Sequence, residues 1–380
     1  MAGVKRVLIV GGGIGGMSLA VGLRGSSIQT EIVELSQDWT ALGIGIHLTA
    51  PSCRALLSLG LLEACVQAGW GVFRQARGTA EGEVIDLGDA PRLLGPTYPA
   101  SLGIMRPAFH RILAEASREA GARVRLGLSV ASLEQTADAV EVTFTDGSRG
   151  SYDLVVGADG IGSRVRELVF GPELQPTFTG QSIWRVTVPR PPEVQSLVSF
   201  PRPGLHPGPA NVGFNPVSPE LMYVFMVQNT PEKVRPPRER LAELAREQLA
   251  AYGGLVAQAR EQMTDPDQVL MRPAEAILVP PPWYRRRVLL IGDAAHATTP
   301  HMASGACIAI EDAVVLAELL GSEQPVVAVL EQFMARRAER CRVVVENSLL
   351  LGEWQKHPNT PGADPERMAR ESAALLAQPI

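Results

Sequence analysis

Val7-Leu8-Ile9-Val10-Gly11-Gly12-Gly13-Ile14-Gly15-Gly16-Met17-Ser18-Leu19-Ala20 is the stretch whose reading decides the fold. A short apolar run of strand character breaks into a glycine turn, and helix-forming residues follow. Gly11, Gly13 and Gly16 occupy the fixed positions of a G-x-G-x-x-G turn. The first glycine serves the tight turn, the second the close approach of a pyrophosphate, the third the packing of helix on strand. Ile14 and Gly15 lie within that turn, where the helix opens. A second apolar run, Glu31-Ile32-Val33, ends at Glu34, about twenty residues on, where a carboxylate can accept from ribose hydroxyls. A glycine pattern alone is weak evidence. Between a strand and a helix, with an acid ending the next strand, it predicts a dinucleotide-binding unit.

Two further segments repeat the theme. Val288-Leu289-Leu290-Ile291 ends in Gly292-Asp293, continues through Ala294-Ala295-His296 and Pro300-His301-Met302-Ala303-Ser304-Gly305, and enters a helix expected from about Gly305 to Leu320. A helix that starts in small residues offers unpaired N–H groups and a positive dipole end to an electron-rich ligand. Tyr152-Asp153-Leu154-Val155-Val156-Gly157-Ala158-Asp159-Gly160 is again a strand closed by Gly-x-Asp-Gly, with Ser163-Arg164-Val165-Arg166 opening a helix. Segments so far apart, both built for one cofactor, point to a large flavin nucleotide held at both ends.

In this order and spacing the three segments resemble the single-component, class A FAD-dependent aromatic hydroxylases with the para-hydroxybenzoate hydroxylase fold. The resemblance covers residues 1 to about 345, and G-A-D-G-x-x-S-x-V-R together with G-D-A-A-H-x-x-x-P makes it specific. It implies a two-lobed α/β (α+β) architecture: a Rossmann-like FAD-binding domain, an interleaved and mainly antiparallel substrate sheet, and C-terminal helices. The expected division is 1–175 for the first part of the FAD domain, with strands inserted near 70–100, then 176–280 for the substrate sheet, and 281–380 for the rest. It also implies an FAD set of Gly11, Gly13, Ile14, Gly15, Gly16, Glu34, Leu35, Arg106, Leu128, Asp159, Asp293, Pro300, Gly305 and Ala306. No second Rossmann motif exists for a nicotinamide, which fits a family that NAD(P)H visits transiently. The implied reaction is hydroxylation of a small aromatic or N-heteroaromatic substrate with NAD(P)H and O2 through a flavin C4a-hydroperoxide. Other chemistry on the same fold (epoxidase, halogenase or reductase) and a non-catalytic flavoprotein are the alternatives; the halogenase segment W-x-W-x-I-P is not found.

Composition sets limits. A chain of 380 residues can bury a sizeable core, and its net charge of −5 argues against a nucleic-acid partner. Cys53, Cys65, Cys307 and Cys341 lack the spacing of a zinc site or a disulfide framework. No apolar stretch approaches the ~20 residues of a membrane-spanning helix. The expectation is a cytoplasmic monomer or homodimer without metal or membrane partner.

A phenol or hydroxypyridine becomes a better nucleophile once deprotonated, so a base is sought. His47 lies in Gly43-Ile44-Gly45-Ile46-His47, and the Pro300–Cys307 run is most similar to pyridine-ring hydroxylases of the 6-hydroxynicotinate 3-monooxygenase type. By position, that resemblance makes His47 the base and His301 a substrate-orienting or proton-relay group. Tyr223 or Phe214 is the candidate to face the ring, while His296 reads as structural. Two features depart from the family, and one pair is open to two readings. Ala303-Ser304 replaces the usual Gly-Gln, Ala41 stands where many relatives have arginine, and Trp184-Arg185 is either a pocket wall with a cation or an ordinary strand pair.

Overall fold

The computed structural model describes residues 3–40, 43–202, 208–209, 211–322 and 324–380; Ala41 and His206 lie outside these. The opening strand, Arg6–Val10, lies inside a six-stranded sheet, between Leu154–Gly157 and Gln29–Glu34. Both neighbours run parallel to it, with Val7 opposite Leu154 and Arg6 opposite Gln29. Val288–Leu290 and the antiparallel edge Tyr284–Arg285 follow on one side, Arg123–Leu126 on the other. Parallel strands are covered on both faces, and so they read as continuous apolar runs. Val7, Leu8, Ile9, Leu154, Val155, Val288 and Leu289 are all fully buried. The three glycine-ended segments of the sequence are thus three adjacent strands. Their C-terminal ends share one edge of the sheet, where ligands of open α/β sheets bind.

A second sheet is antiparallel, in the order Val198–Pro201, Asn211–Pro216, Leu221–Asn229, Thr177–Pro189, Val269–Ala276. Alternation along these strands separates two faces. Trp184, Val186, Phe214, Met222 and Val224 join a core with Ala242, Ala245 and Val256 from the helices Leu241–Gln248 and Gly254–Glu261. Between them, Arg185, Thr187, Asn215, Tyr223 and Phe225 belong to the opposite face. That parity decides the Trp184-Arg185 pair. Trp184 packs away from the crevice, its indole N–H donating to Gln228 Oε1 at 2.8 Å, and only Arg185 turns toward it.

A small sheet of Gly45–Leu48, Ser101–Met105 and Trp70–Val72 joins the lobes. Glycine makes the join possible: a Cβ at Gly103 would lie 1.9 Å from the Pro216 carbonyl oxygen, and one at Gly45 2.2 Å from the Tyr223 ring. The helical stretch expected near Pro51–Ala68 is two helices, Ala50–Ser58 and Leu62–Ala68, parted at Gly60 with φ 71°. The expected helix from Gly305 ends at Leu320, and Val326–Lys356 packs behind it. Among the described residues no helix is long and apolar enough to cross a membrane.

Candidate active site

At the strand ends the glycines take three different roles. Gly11 turns the chain at φ 109°, and Gly16 brings the helix Ile14–Gly22 so close that a Cβ would meet the Gly11 oxygen at 2.1 Å. Gly13 has nothing within 4 Å of where a Cβ would stand, and its helix start carries no side-chain cap. The second glycine therefore guards open ground beside free N–H groups. Glu34 accepts from the Gly12 and Ser36 amides, each at 2.8 Å. Trp39, unmarked in the sequence, donates from its indole to the Gly12 oxygen at 2.9 Å and covers the loop. Leu35 is exposed nearby; Leu128 is buried, its amide bonded to the Glu34 oxygen.

Across the crevice Gly292 turns at φ 58° into Asp293. Asp293 is open to the crevice, yet lost solvation raises its carboxyl above the usual range against the pull of His296 and Arg106. The helix Gly305–Leu320 also starts uncapped at Gly305 and Ala306, after the Pro300–Met302 turn, because Ser304 bonds back to the Met302 oxygen. Arg106 Nε has no partner among the described residues, and burial followed by nearby Arg185 pushes its guanidinium down to about 10. Uncapped helix starts, an open acid and an unpartnered guanidinium fit an extended dinucleotide with its pyrophosphate at a helix N-terminus. Asp159 is engaged differently. It accepts from the Ser163 hydroxyl at 2.5 Å and the Val165 amide at 3.0 Å, starting the helix Arg164–Phe170. Arg166, from the same motif, donates to the Ala294 oxygen at 2.9 Å and ties two of the three segments together.

His47 sits on the joining sheet, half-buried, opposite Gly103. Its Nδ1 is 3.2 Å from Oδ1 of Asn215, a residue that no motif marks in the sequence. Burial pushes the imidazole down to about 4, against the opposing effect of that hydrogen bond. His47 is therefore neutral at pH 7. Beside it Tyr223 is buried against Gly45, its phenol raised by lost solvation and so protonated. The Arg185 guanidinium lies 5.7 Å from the centre of that ring and 3.5 Å from the Gly45 oxygen. Phe214 lies on the other face of its sheet, in the second core.

His301 and His296 are held by side-chain partners. His301 has both nitrogens engaged, Nδ1 with Thr299 Oγ1 and Nε2 with Gln355 Oε1, each at 2.9 Å. His296 Nε2 is 2.6 Å from Asp312 Oδ2, which also accepts from the Gly292 amide at 2.9 Å. Arg337 donates to Asp312, Glu311 and the Ile308 oxygen, and Arg340 to Glu311. This buried network braces the Gly292 turn from behind. Cys341 brings a third possible metal donor to His296 and Asp312, but the Arg337 guanidinium already occupies that cluster. Glu311-Asp312 inside an apolar helix, with Arg337 and Arg340 one turn apart, was the sequence signal for it.

Comparison with known proteins identifies the family. A family model described as an FAD binding domain matches residues 5–348. The 2-heptyl-3-hydroxy-4(1H)-quinolone synthase of Pseudomonas aeruginosa is 31% identical over 92% of this chain and 90% of its own. The 6-hydroxynicotinate 3-monooxygenase of Pseudomonas fluorescens is 29% identical, covering 90% of each chain. Klebsiella pneumoniae HpxO, solved in complex with FAD and uric acid, superposes with a TM-score of 0.84 at 26% identity, over 99% of this chain and 97% of that one.

Proposed function

Because the chain belongs to the FAD binding domain family, we propose that it hydroxylates a small aromatic or N-heteroaromatic ring bearing an ionisable hydroxyl, seated between His47, Tyr223 and Arg185. It is an FAD-dependent monooxygenase of the aromatic-hydroxylase class, with NAD(P)H as the transient reductant. Bound FAD supplies oxygen activation. Gly13 and the start of its helix, Glu34, Arg106, Asp293 and the amides of Gly305 and Ala306 would hold it. The proposed lobes are residues 1–175 with 281–380 for the cofactor and 176–280 for the substrate.

One observation carries the reading: a neutral, desolvated His47 on the strand whose Gly45 meets Tyr223 and the Arg185 guanidinium, with the Nε of Arg106 left without a partner among the described residues. The magnitudes require both parts. A base at about 4 faces a phenolic hydroxyl near 10, a gap of about six units, or roughly 8 kcal/mol uphill. Arg185 and Arg106 lower that gap by stabilising the anion left on the ring. His47 then takes the proton while Tyr223 orients the ring oxygen as a donor. The substrate is accordingly a ring whose hydroxyl ionises readily.

The test is NAD(P)H oxidation by the holoenzyme with matched pairs of rings, hydroxyl against methyl ether, and label from 18O2 followed into product. Hydroxylated rings should stimulate oxidation and take up the label. His47→Ala should keep its flavin and lose 10²–10⁴-fold in coupled hydroxylation, as general-base loss does, while releasing hydrogen peroxide. Raising pH through the substrate's own pKa should restore part of it. Equal turnover of the ethers, or unchanged coupling in His47→Ala, would refute the assignment.

A further inference from the structure

We propose that Asn215 is a positioning residue that fixes His47 in the one tautomer able to accept a proton from the substrate. The inference rests on the reading of His47 as the base.

The two residues come from different lobes, 168 positions apart, and meet at 3.2 Å between Nδ1 and Oδ1. An amide oxygen only accepts, so the imidazole must present Nδ1–H to it. Its other nitrogen, Nε2, is then bare and ready to take a proton. With the amide turned over, Nδ2 would donate to Nδ1, the ring hydrogen would sit on Nε2, and His47 could not serve as a base. One amide orientation therefore separates a competent site from an inert one.

The surroundings hold that amide in place. Asn215 is fully buried and lies in register with Tyr223, with Val224 next to it across the strand pair at Phe214. Phe214 and Pro216 flank it along its own strand, and Phe214 anchors in the second core. Its Nδ2 makes no hydrogen bond of good geometry among the described residues, but it acts on the Tyr223 hydroxyl, lowering that phenol against burial, and it lies 2.8 Å from where a Gly103 Cβ would stand. Any side chain at 103 would push the amide off. Gly103 pairs with His47 itself, so the same two-strand contact that carries the base leaves room for its partner. Among the described residues, the charged and titratable groups that meet the strand of His47 or its start are Tyr223, packed on Gly45, Arg185, reaching the Gly45 oxygen, and Arg106, whose amide bonds the Ile44 oxygen and behind which lies Arg272. No arginine side chain accepts a hydrogen bond. Asn215 is the acceptor that the structure gives to Nδ1.

The experiment is a double-mutant cycle in the holoenzyme, read as coupled product per NAD(P)H consumed across pH. Asn215→Leu alone should lose about tenfold in coupled hydroxylation, the size of one hydrogen bond to a group that becomes charged. In a His47→Ala background the same substitution should change nothing further. Asn215→Asp keeps the acceptor and adds a charge that favours the imidazolium, so the acid limb of the profile should move to higher pH. Histidine labelled with 15N in its ring gives a readout without turnover: His47 in the wild-type holoenzyme should show the Nδ1–H tautomer. An undiminished Asn215→Leu effect in the His47→Ala background means a merely structural role and overturns the inference, as does an Nε2–H tautomer or an unmoved Asn215→Asp profile. If Asn215→Leu does not fold with flavin bound, the aspartate variant and the labelled wild type still decide. Normal coupling in His47→Ala would remove the base reading itself; uncoupling in His47→Ala with normal coupling in Asn215→Leu would remove only this inference.

Discussion

Two histidines on either side of the cofactor crevice are driven in opposite directions. His296, behind the Gly292 turn, is raised well above its ordinary value although burial lowers it, because Cys341 and Asp312 more than offset the lost solvation. His47, in front, is pushed down to about 4 by burial, with the Asn215 hydrogen bond opposing it too weakly to compensate. Behind the turn, Asp312, Glu311, Arg337 and Arg340 are buried and paired with one another, although His296 Nδ1 and Arg54 Nε lack a partner among the described residues. In front, Arg106 Nε, Thr187 Oγ1 and Asn215 Nδ2 are buried without a partner among the described residues. Buried polar groups are normally satisfied, and each exception asks for an explanation. The region whose buried charges neutralise one another is scaffold, and the one whose buried arginine makes no ion pair among the described residues is where a ligand belongs.

The harshest way to break this contrast is Asp312→Ala. It strips a carboxylate from His296 and Arg337 at once and leaves buried positive charge uncompensated, which costs about 3–5 kcal/mol. Urea unfolding should show that loss together with weakened flavin retention, since the Gly292 amide also loses its acceptor. A loss under 1 kcal/mol would mean that the network is not the brace described here.

A pH series sharpens the comparison. His47 has a folded pKa of about 4 against 6.5 when unfolded, so its contribution is present above 6.5 and is lost as pH falls toward 4. For Asp312, held at about 2, the contribution is present above the unfolded value of 3.8 and lost as pH falls toward 2. His296 has the opposite sign: its raised pKa stabilises below 6.5, and that contribution is lost as pH climbs through the folded value. Stability of His47→Gln should therefore fall less than that of the wild type between pH 6.5 and 4, and the two curves should run parallel above pH 7. Identical slopes from pH 6.5 to 4 would show that His47 is not desolvated in the folded state.

The smallest effect falls on the loop that joins the two regions. Ala303 adopts φ 49°, ψ 25°, the left-handed region that the family's glycine would occupy freely. An L-residue there pays roughly 1–2 kcal/mol, partly offset by the stiffer unfolded chain that alanine gives. Ala303→Gly should raise stability by about 0.5–1 kcal/mol in thermal or urea unfolding. A drop in stability would show that the loop is not strained.

The nucleotide sheet and its glycine turns were legible in the sequence. A turn at φ 109° in Gly11 and the contact of Gly16 with the Gly11 oxygen admit little besides glycine, and such demands are local, so they leave a mark in the linear sequence. Fully buried parallel strands likewise print as unbroken apolar runs. The sequence by itself therefore determined the nucleotide sheet, its crevice and the flavin. The substrate half was decided by tertiary structure. Whether Trp184 or Arg185 meets the crevice depends on strand parity, which a one-residue slip reverses. The charge of His47 depends on burial and on an amide 168 residues away. Protonation follows from desolvation and neighbours in space, and neither is written in the order of residues along the chain.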